Sequence, residues 1–132
     1  MGTKMKILVV DDQEDARNTV AEIIHECGYE VKTAQSGEDV LRHLLPGEIH
    51  LVITDRDLGK GKMTGVDLAR LLPRTKSGLP KVILMSGDNF SNEDLKLHPA
   101  IAAFIGKPFS MEEIRALIKH QLGEIETPAA GS

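Results

Sequence analysis

Five side chains suited to phosphate and metal chemistry each follow a short hydrophobic run in this chain of 132 residues. They are Asp11, Asp12, Asp55, Ser86 and Lys107. If the hydrophobic runs form one parallel sheet, these side chains meet outside the carboxyl ends of its strands, where such sheets bind their ligands. Three carboxylates, a hydroxyl and an ammonium gathered there predict a small site for a divalent cation and a phosphoryl group.

The adjacent acids Asp11 and Asp12 indicate a cation, because neighbouring carboxylates repel each other unless a positive charge compensates them. Mg²⁺ prefers oxygen ligands in a tight octahedron and usually keeps several waters. The pair could instead stabilise the start of a helix near Glu14, since helix N-termini favour acidic side chains.

The other three residues fit a phosphoryl group. Asp55 could act as a nucleophile and form an aspartyl phosphate, or it could simply form a turn. Ser86 precedes a glycine and could donate a hydrogen bond to a phosphate oxygen, and Lys107 would add a compact positive charge. Taken singly, a serine at a strand end is usually a cap and a lysine is usually solvated. The prediction therefore depends on all five occurring in this order. The sequence Lys107–Pro108 also allows a cis peptide bond.

Apolar runs and helical patterns alternate along the chain, and this alternation predicts the elements that position the five side chains. Strands are predicted at 7–10, 31–34, 51–54, 81–85 and 102–105. Helices are predicted at 16–27, 36–45, 64–72, 91–97 and 110–122. The pattern predicts an α/β fold in which five helices cover both faces of a doubly wound, five-stranded parallel sheet.

Several helix boundaries have clear signals. Ser36, Thr64 and Ser110 are predicted N-caps, and Gly28 is expected just after the first helix. The second helix is expected to stop at residues 46–47. The third helix carries the apolar residues Val66, Leu68, Ala69, Leu71 and Leu72.

Composition limits the kind of protein. Hydrophobic residues make up 41% and charged residues 27%, which is typical of a folded domain. A formal net charge of -4 argues against direct nucleic-acid binding. The single cysteine precludes an internal disulfide, and no apolar segment is long enough to span a bilayer. We therefore expect a soluble, cytoplasmic domain that does not bind membranes.

The whole pattern resembles the receiver domain of bacterial two-component response regulators, over roughly residues 6–122. The matching stretches are 7–12 (ILVVDD), 51–55 (LVITD), 85–87 (MSG) and 104–109 (FIGKPF). The resemblance implies a flavodoxin-like sheet with strand order 2-1-3-4-5. It also implies that Asp55 receives a phosphoryl group from a phosphohistidine on a sensor histidine kinase or a phosphotransfer protein, with Mg²⁺ as cofactor.

The resemblance also implies a role for each site residue. Asp12 and Asp55 would bind Mg²⁺ directly and Asp11 through water, and the backbone carbonyl of Asp57 would be a further ligand. Such a domain catalyses only its own phosphorylation and dephosphorylation.

A switch is implied as well. Ser86 and Lys107 would contact the phosphoryl oxygens, and Phe104 matches the aromatic residue that turns inward when the hydroxyl residue moves. The alternative is that Phe104 is a fixed core residue. The fourth helix, fifth strand and fifth helix would form the output surface.

The chain departs from the family pattern in the loop at 58–64. Receivers usually place a proline four residues after the acceptor aspartate and a glycine four residues further on. Here Gly59 occupies the proline position and Gly65 comes two residues late. Lys60 and Lys62 make the longer loop basic. Either this loop tunes phosphate lifetime or partner choice, or it is a tolerated surface insertion.

Two other readings compete with the receiver. The Asp55-Arg56-Asp57 stretch resembles the Asp-x-Asp of haloacid-dehalogenase-like phosphatases, although that reading leaves the acidic pair unexplained. A phosphatase would turn over a phosphomonoester many times, whereas a receiver takes up one phosphoryl group per chain. A degenerate receiver acting as a phosphorylation-independent scaffold would fail to bind Mg²⁺.

We predict a receiver domain over 1–123, followed by a disordered tail or linker over 124–132. The sequence leaves open whether the receiver acts alone or was excised from a longer regulator or hybrid kinase. Its target would be a downstream protein or an attached output domain. Both a monomer and a phosphorylation-dependent dimer are compatible with the sequence.

Overall fold

A computed structural model describes residues 4–44, 47–87 and 92–125. Within these residues, strands and helices alternate five times. The strands are β1 (Lys6–Val10), β2 (Glu30–Ala34), β3 (Leu51–Asp55), β4 (Lys81–Ser86) and β5 (Ala103–Gly106). The helices are α1 (Glu14–Glu26), α2 (Gly37–His43), α3 (Gly65–Leu71), α4 (Asn92–Leu97) and α5 (Met111–Ile125). The predicted α/β alternation is confirmed.

All neighbouring strands are parallel, in the order β2-β1-β3-β4-β5. This order confirms the predicted doubly wound, flavodoxin-like sheet. The register pairs Val10 with both Ala34 and Thr54, and Ser86 with Gly106. The carboxyl ends of the strands therefore lie at one edge of the sheet, which is where the five predicted site residues are needed.

Two apolar cores lie on opposite faces of the sheet, because successive side chains of a strand point to opposite sides. On β1, Ile7 and Val9 face one core, whereas Leu8 and Val10 face the other. The first, the α1/α5 core, includes the helix residues Val20, Ile23, Ile24, Ile114, Ile118 and Leu122. The second, the α2/α3 core, includes Val40, Leu68, Ala69 and Leu72. Burial on both faces explains why the central strands are continuous apolar runs.

The helix boundaries follow the predicted caps. Ser36 Oγ accepts a hydrogen bond from the Asp39 N–H at 3.1 Å, which caps α2. Thr64 forms a reciprocal capping box with Asp67 at the start of α3. Ser110 Oγ likewise accepts from the Glu113 N–H at 3.0 Å ahead of α5. Each cap satisfies backbone donors that the first helical turn leaves without a partner.

Leu71, one of the apolar residues of α3, is 59% exposed, because it lies on the flank of the helix and not on the face that carries Leu68 and Leu72. The structure differs from the prediction at two strand ends. Asp55 and Ser86 are the last residues of their strands and do not follow them. The predicted stop at Pro46 and the predicted start of α4 at Ser91 fall partly or wholly outside the described residues.

The predicted tail at 124–132 overlaps α5, which continues to Ile125. Residues 126–132 lie outside the described part of the chain, so the proposed boundary at 123 stays a prediction.

Candidate functional site

Asp11 lies directly after β1 and is buried. Its backbone N–H donates to the Ala34 carbonyl at 3.1 Å, continuing the sheet by one residue. Its Oδ1 accepts from the Gln13 N–H at 2.9 Å, so Asp11 does shape the turn that leads into α1. Its Oδ2, however, is buried without a hydrogen-bond partner among the described residues. Helix initiation therefore accounts for one carboxylate oxygen and leaves the other available to a ligand.

Asp12 is exposed and lies at the edge of the β3–α3 loop, which comprises residues 56–64. A Cβ placed on Gly59 would lie 3.5 Å from Asp12 Oδ2, so the loop backbone borders this carboxylate. The two aspartates thus differ in surroundings, with Asp11 enclosed by the sheet and Asp12 facing solvent.

Asp55 presents both carboxylate oxygens at the end of β3. Its Oδ2 lies 2.6 Å from Lys107 Nζ, and its Oδ1 accepts from the Asp57 N–H at 3.1 Å. The Thr54 hydroxyl donates to the Asp55 backbone carbonyl at 2.9 Å, which fixes the strand end. These contacts hold the carboxylate in one orientation at the mouth of the site.

Lys107 connects the outer strand β5 to the centre of the sheet. Besides Asp55, its Nζ approaches Asp11 Oδ2 at 3.6 Å, which is an ion-pair distance and too long for a hydrogen bond. Its backbone N–H donates to the Ser86 carbonyl at 2.7 Å. The Lys107–Pro108 peptide bond is cis, as the sequence allows. The structure therefore brings Asp11, Asp55, Lys107 and the end of β4 together.

The electrostatics of the site reflect this crowding of carboxylates. Burial raises the pKa of Asp11, and the charges of Asp55 and Asp12 raise it further, against the lowering effects of the Gln13 N–H and Lys107. Burial acts to lower the pKa of Lys107, but the hydrogen bond to Asp55 and the charges of Asp55 and Asp11 outweigh it and raise the pKa. Lys107 is therefore an ammonium at neutral pH, and this one ammonium faces two aspartates, Asp55 and Asp11.

Ser86, Phe104 and Asp57 occupy the positions expected of them along the chain. Ser86 ends β4 and is buried. Phe104 lies opposite Leu84 on β5 and packs, partly buried, against the α2/α3 core. The Asp57 side chain is exposed and accepts from the Gly59 N–H at 3.1 Å, which starts the turn of the β3–α3 loop.

The residues present fit a Mg²⁺ ion, although the fit depends on more than side chains. Within the described residues, no three His, Cys, Asp or Glu side chains are placed to hold a metal by themselves. The ligand set implied by the receiver resemblance needs only two direct carboxylates, with water and a backbone carbonyl supplying the remaining oxygens. The unpartnered Asp11 Oδ2 and the excess of negative charge match that all-oxygen set.

Gly65 has a role at the site that the sequence did not reveal. A Cβ on this residue would lie 2.3 Å from the Asp55 backbone oxygen and 3.0 Å from Leu84 Cδ1. The start of α3 therefore packs directly against the backbone of Asp55, which only glycine permits. The sequence marked Gly65 as displaced by two positions, and the structure shows that the longer loop still delivers it to Asp55.

The supporting roles of Arg17 and Thr54 at the site were not predicted from the sequence. The Arg17 guanidinium donates to the Asp11 carbonyl at 2.9 Å, and Thr54 holds the Asp55 carbonyl. Each donates a hydrogen bond to the backbone carbonyl of a site residue. Residues with this supporting role have no characteristic spacing by which the sequence could reveal them.

Comparison with known proteins identifies the family. Residues 7–119 match the family model for the response regulator receiver domain. The chain belongs to the response regulator receiver family.

Relatives of this receiver include longer regulators. It is 31% identical over 127 residues to the alkaline phosphatase synthesis transcriptional regulatory protein PhoP of Bacillus subtilis, covering 96% of this chain and 52% of PhoP. The chain thus spans about half the length of the curated relatives it matches. Among solved structures, the response regulator TrrA of Thermotoga maritima, determined in complex with Mg²⁺ and BeF, has a TM-score of 0.75 and 30% identity. That match covers 89% of this chain and 98% of TrrA.

The family assignment confirms the predicted resemblance and argues against the phosphatase reading. The protein is a receiver domain of two-component response regulators, which is a signalling domain and not a classical enzyme. The phosphatase reading of Asp55-Arg56-Asp57 is therefore set aside. Among the described residues, no helix combines the length and apolar character that crossing a bilayer requires.

Proposed function

We propose that this receiver is a phosphorylation switch that accepts a phosphoryl group on Asp55 from the phosphohistidine of a sensor histidine kinase or phosphotransfer protein. The observation that carries the proposal is the 2.6 Å contact between Lys107 Nζ and Asp55 Oδ2, made beside the buried Asp11. A turn-forming aspartate needs no such contact, whereas a nucleophile that will carry a phosphate needs a fixed orientation and a neighbouring cation.

The chemistry requires one bond to form and one to break. An Asp55 carboxylate oxygen attacks phosphorus while the P–N bond of the phosphohistidine breaks. The electron pair of that bond stays on the imidazole nitrogen, which takes up a proton. Lys107 would pair with the phosphoryl oxygens, and Ser86, whose backbone carbonyl accepts from the Lys107 N–H, would offer its hydroxyl at the same sheet edge.

Mg²⁺ would be held by Asp12 and Asp55 directly, by Asp11 through water and by the Asp57 carbonyl. When bound, it supplies positive charge that offsets the three carboxylates and the phosphoryl group. The protein's own contribution is to hold Asp11 buried, with one carboxylate oxygen engaged by the Gln13 N–H and the other unpartnered within the described residues.

On phosphorylation, a movement of Ser86 would change the position of the Phe104 ring. Ser86 pairs with Gly106, and Leu84, two residues earlier, pairs with Phe104. A movement of the Ser86 hydroxyl toward a phosphate would therefore change the space beside Phe104, which is only partly buried. The surface of α4, β5 and α5 would then act on a downstream protein or an attached output domain, in the cytoplasm where kinase and target meet. A phosphorylation-dependent dimer is one form this output could take.

Intact-protein mass spectrometry tests the proposal. The protein and an Asp55→Asn variant are incubated with acetyl phosphate, with and without Mg²⁺, and weighed intact. We expect one added phosphoryl group on the wild type with Mg²⁺, and none on the variant. An Asp15→Asn variant, changed at an exposed position of α1, is the matched control and should behave as the wild type.

Uptake by the Asp55→Asn variant would contradict Asp55 as the acceptor. If the wild type gains no mass from acetyl phosphate or from a phosphorylated kinase, and also binds no Mg²⁺, the receiver is instead a scaffold that works without phosphorylation.

A further inference from the structure

The far end of the β3–α3 loop is fastened to α2. The Met63 N–H donates to Glu38 Oε2 at 3.2 Å, across 25 positions of sequence. The Met63 side chain also lies against Gly37, where a Cβ would come within 2.5 Å of the Met63 sulfur. The hydrogen bond and this close side-chain contact together seat this end of the loop on the first turn of α2.

The near end of the same loop borders Asp12. Leu58 is buried in the α2/α3 core and anchors the chain after Asp57. Gly59 has a φ of +112°, and its carbonyl accepts from the Lys62 N–H at 3.1 Å, which closes a turn. That turn is the part of the loop whose backbone lies beside Asp12 Oδ2. With Leu58 and Met63 both held, the turn between them has little freedom to leave Asp12.

Glu38, like Asp11, has a hydrogen-bond partner among the described residues for only one of its two carboxylate oxygens. Its Oε1 is buried and makes no hydrogen bond among the described residues, and such a group costs free energy of folding. Glu38 also lines a cavity of about 480 Å³, together with Asp12, Gly59, Lys60 and Lys62. Glu38 and Asp12 therefore line the same cavity, and loss of the Glu38–Met63 hydrogen bond would open that cavity beside Asp12.

We propose that Glu38 is a positioning residue of the phosphoacceptor site, which clasps the β3–α3 loop to α2 and thereby sets the Mg²⁺ affinity at Asp12 and the lifetime of phosphate on Asp55. The inference deepens the proposed function and rests on it. It also chooses between the two readings of the longer loop, since a clasped loop with buried anchors is more than a tolerated surface insertion.

The direction of the effect follows from the surroundings of Asp12. A loop held beside an exposed carboxylate restricts its rotamers and its contact with water, so less freedom is lost when Asp12 binds a cation. A released loop would let Asp12 move and would admit water to the acyl phosphate. Release should therefore weaken Mg²⁺ binding and shorten the lifetime of the phosphate, each by about three- to tenfold, as expected for one net hydrogen bond.

The test compares Glu38→Ala with Glu38→Gln. Alanine removes the acceptor of the Met63 N–H, whereas glutamine keeps a carbonyl oxygen in its place and loses only the charge. Three quantities are measured: amide hydrogen exchange of a peptide spanning the loop, the Kd for Mg²⁺ alone by calorimetry, and the half-life of the aspartyl phosphate by intact mass. We expect the alanine variant to show faster loop exchange, weaker Mg²⁺ binding and a shorter half-life. The glutamine variant should stay close to the wild type in all three.

A Gly37→Ala variant provides a second way to loosen the β3–α3 loop. It leaves Glu38 intact but displaces the Met63 side chain, and it should change all three quantities in the same direction as Glu38→Ala. Exposed Glu22 on α1 supplies the matched control, and Glu22→Ala should change none of them.

The proposal is overturned if Glu38→Ala leaves loop exchange unchanged, or if it loosens the loop while Mg²⁺ affinity and half-life stay at wild-type values. Equal effects of alanine and glutamine would also overturn it, because charge and not the hydrogen bond would then be responsible. Failure of the wild type to take up phosphate would count against the proposed function alone. In that case, loop exchange would still test whether Glu38 holds the loop to α2. Mg²⁺ affinity would still test whether this contact affects cation binding at Asp12.

Discussion

Asp11 illustrates how a functional carboxylate lowers the stability of its own fold. Burial raises its pKa above the ordinary value of 3.8, so the folded chain holds this proton more tightly than the unfolded chain does. The stability that the protonated form provides is complete at low pH. It is lost as pH rises from the unfolded pKa through the raised folded pKa, because the folded state then pays to keep a buried charge.

Replacing Asp11 with asparagine should therefore stabilise the receiver at neutral pH while impairing Mg²⁺ binding. The amide can still accept the Gln13 N–H through its oxygen, and it carries no charge to desolvate. We expect a higher melting temperature than wild type at pH 7, and a difference that disappears below the unfolded pKa. Thermal melts over a series of pH values test this. A gap of the same size at every pH would show that the carboxylate charge is not the cause.

Lys107 is predicted to act chiefly on the reaction. Lys107→Met keeps much of the apolar stem but removes the ammonium that lies 2.6 Å from Asp55. We expect phosphoryl uptake from acetyl phosphate to slow about 100-fold, the size typical for loss of one stabilising group at a reacting centre. The initial rate is measured by intact mass. A Lys119→Met variant on α5 is the control for loss of a lysine, and a Lys107→Met rate equal to wild type would refute the assignment.

Gly65 lies where the start of α3 packs against the backbone of β3. A Gly65→Ala side chain would meet the Asp55 carbonyl oxygen at 2.3 Å, and neither backbone can turn away as a flexible side chain could. We expect a loss of about 1–3 kcal/mol in the free energy of unfolding, with slower phosphorylation because Asp55 is displaced. Urea denaturation and phosphoryl uptake measure the two effects.

The control for Gly65 is Gly123→Ala. This glycine lies in α5, and a Cβ there would meet nothing within 4 Å. Helix propensity predicts that the change is neutral or slightly stabilising. Equal behaviour of the two variants would mean that the tight approach of α3 to Asp55 has no energetic consequence.

The sequence predicted the elements well where one physical requirement dominated. Strands buried on both faces must be apolar throughout, and the capped helices carry Ser36, Thr64 and Ser110 where backbone donors need them. The pattern did not distinguish exposed Leu71 from its buried neighbours, because on a helix of two turns a residue at the border of the apolar face can point either way.

The contacts that refine the site could not be predicted in this way. The bond from Met63 to Glu38 joins two loop-proximal positions 25 residues apart, and no periodicity relates them. The approach of Gly65 to Asp55 likewise depends on the path of the whole β3–α3 loop. The predicted set of Asp11, Asp12, Asp55, Ser86 and Lys107 was accessible because strand ends converge by topology alone. The supporting residues were not, since they depend on loop conformation.

The two cores lie on opposite faces of the same five-stranded sheet, so we expect the whole molecule to unfold in one cooperative transition. The single tyrosine, Tyr29, packs against the α1/α5 core, and the chain has no tryptophan. Tyrosine fluorescence therefore reports one face of the sheet, whereas far-ultraviolet circular dichroism reports the entire backbone. We expect both signals to give one midpoint in urea.

Truncating the opposite core tests that cooperativity. Leu68 is fully buried in the α2/α3 core, and Leu68→Ala should cost about 2–5 kcal/mol. If the sheet couples the two faces, the tyrosine transition moves by the same amount as the circular dichroism transition. A tyrosine midpoint that stays in place would show that the α1/α5 core unfolds independently.

The contact between Lys107 and Asp55 also has a consequence for the order in which the chain is made. Asp55 is synthesised 52 residues before the lysine that holds it, and that lysine follows the last strand of the sheet. A nascent chain that has released β1, β3 and β4 from the ribosome thus displays the acidic residues without their cation. If Lys107 takes part in phosphoryl transfer as proposed, the receiver becomes competent only once β5 has joined the sheet, and a kinase that requires the complete site would not phosphorylate unfinished chains.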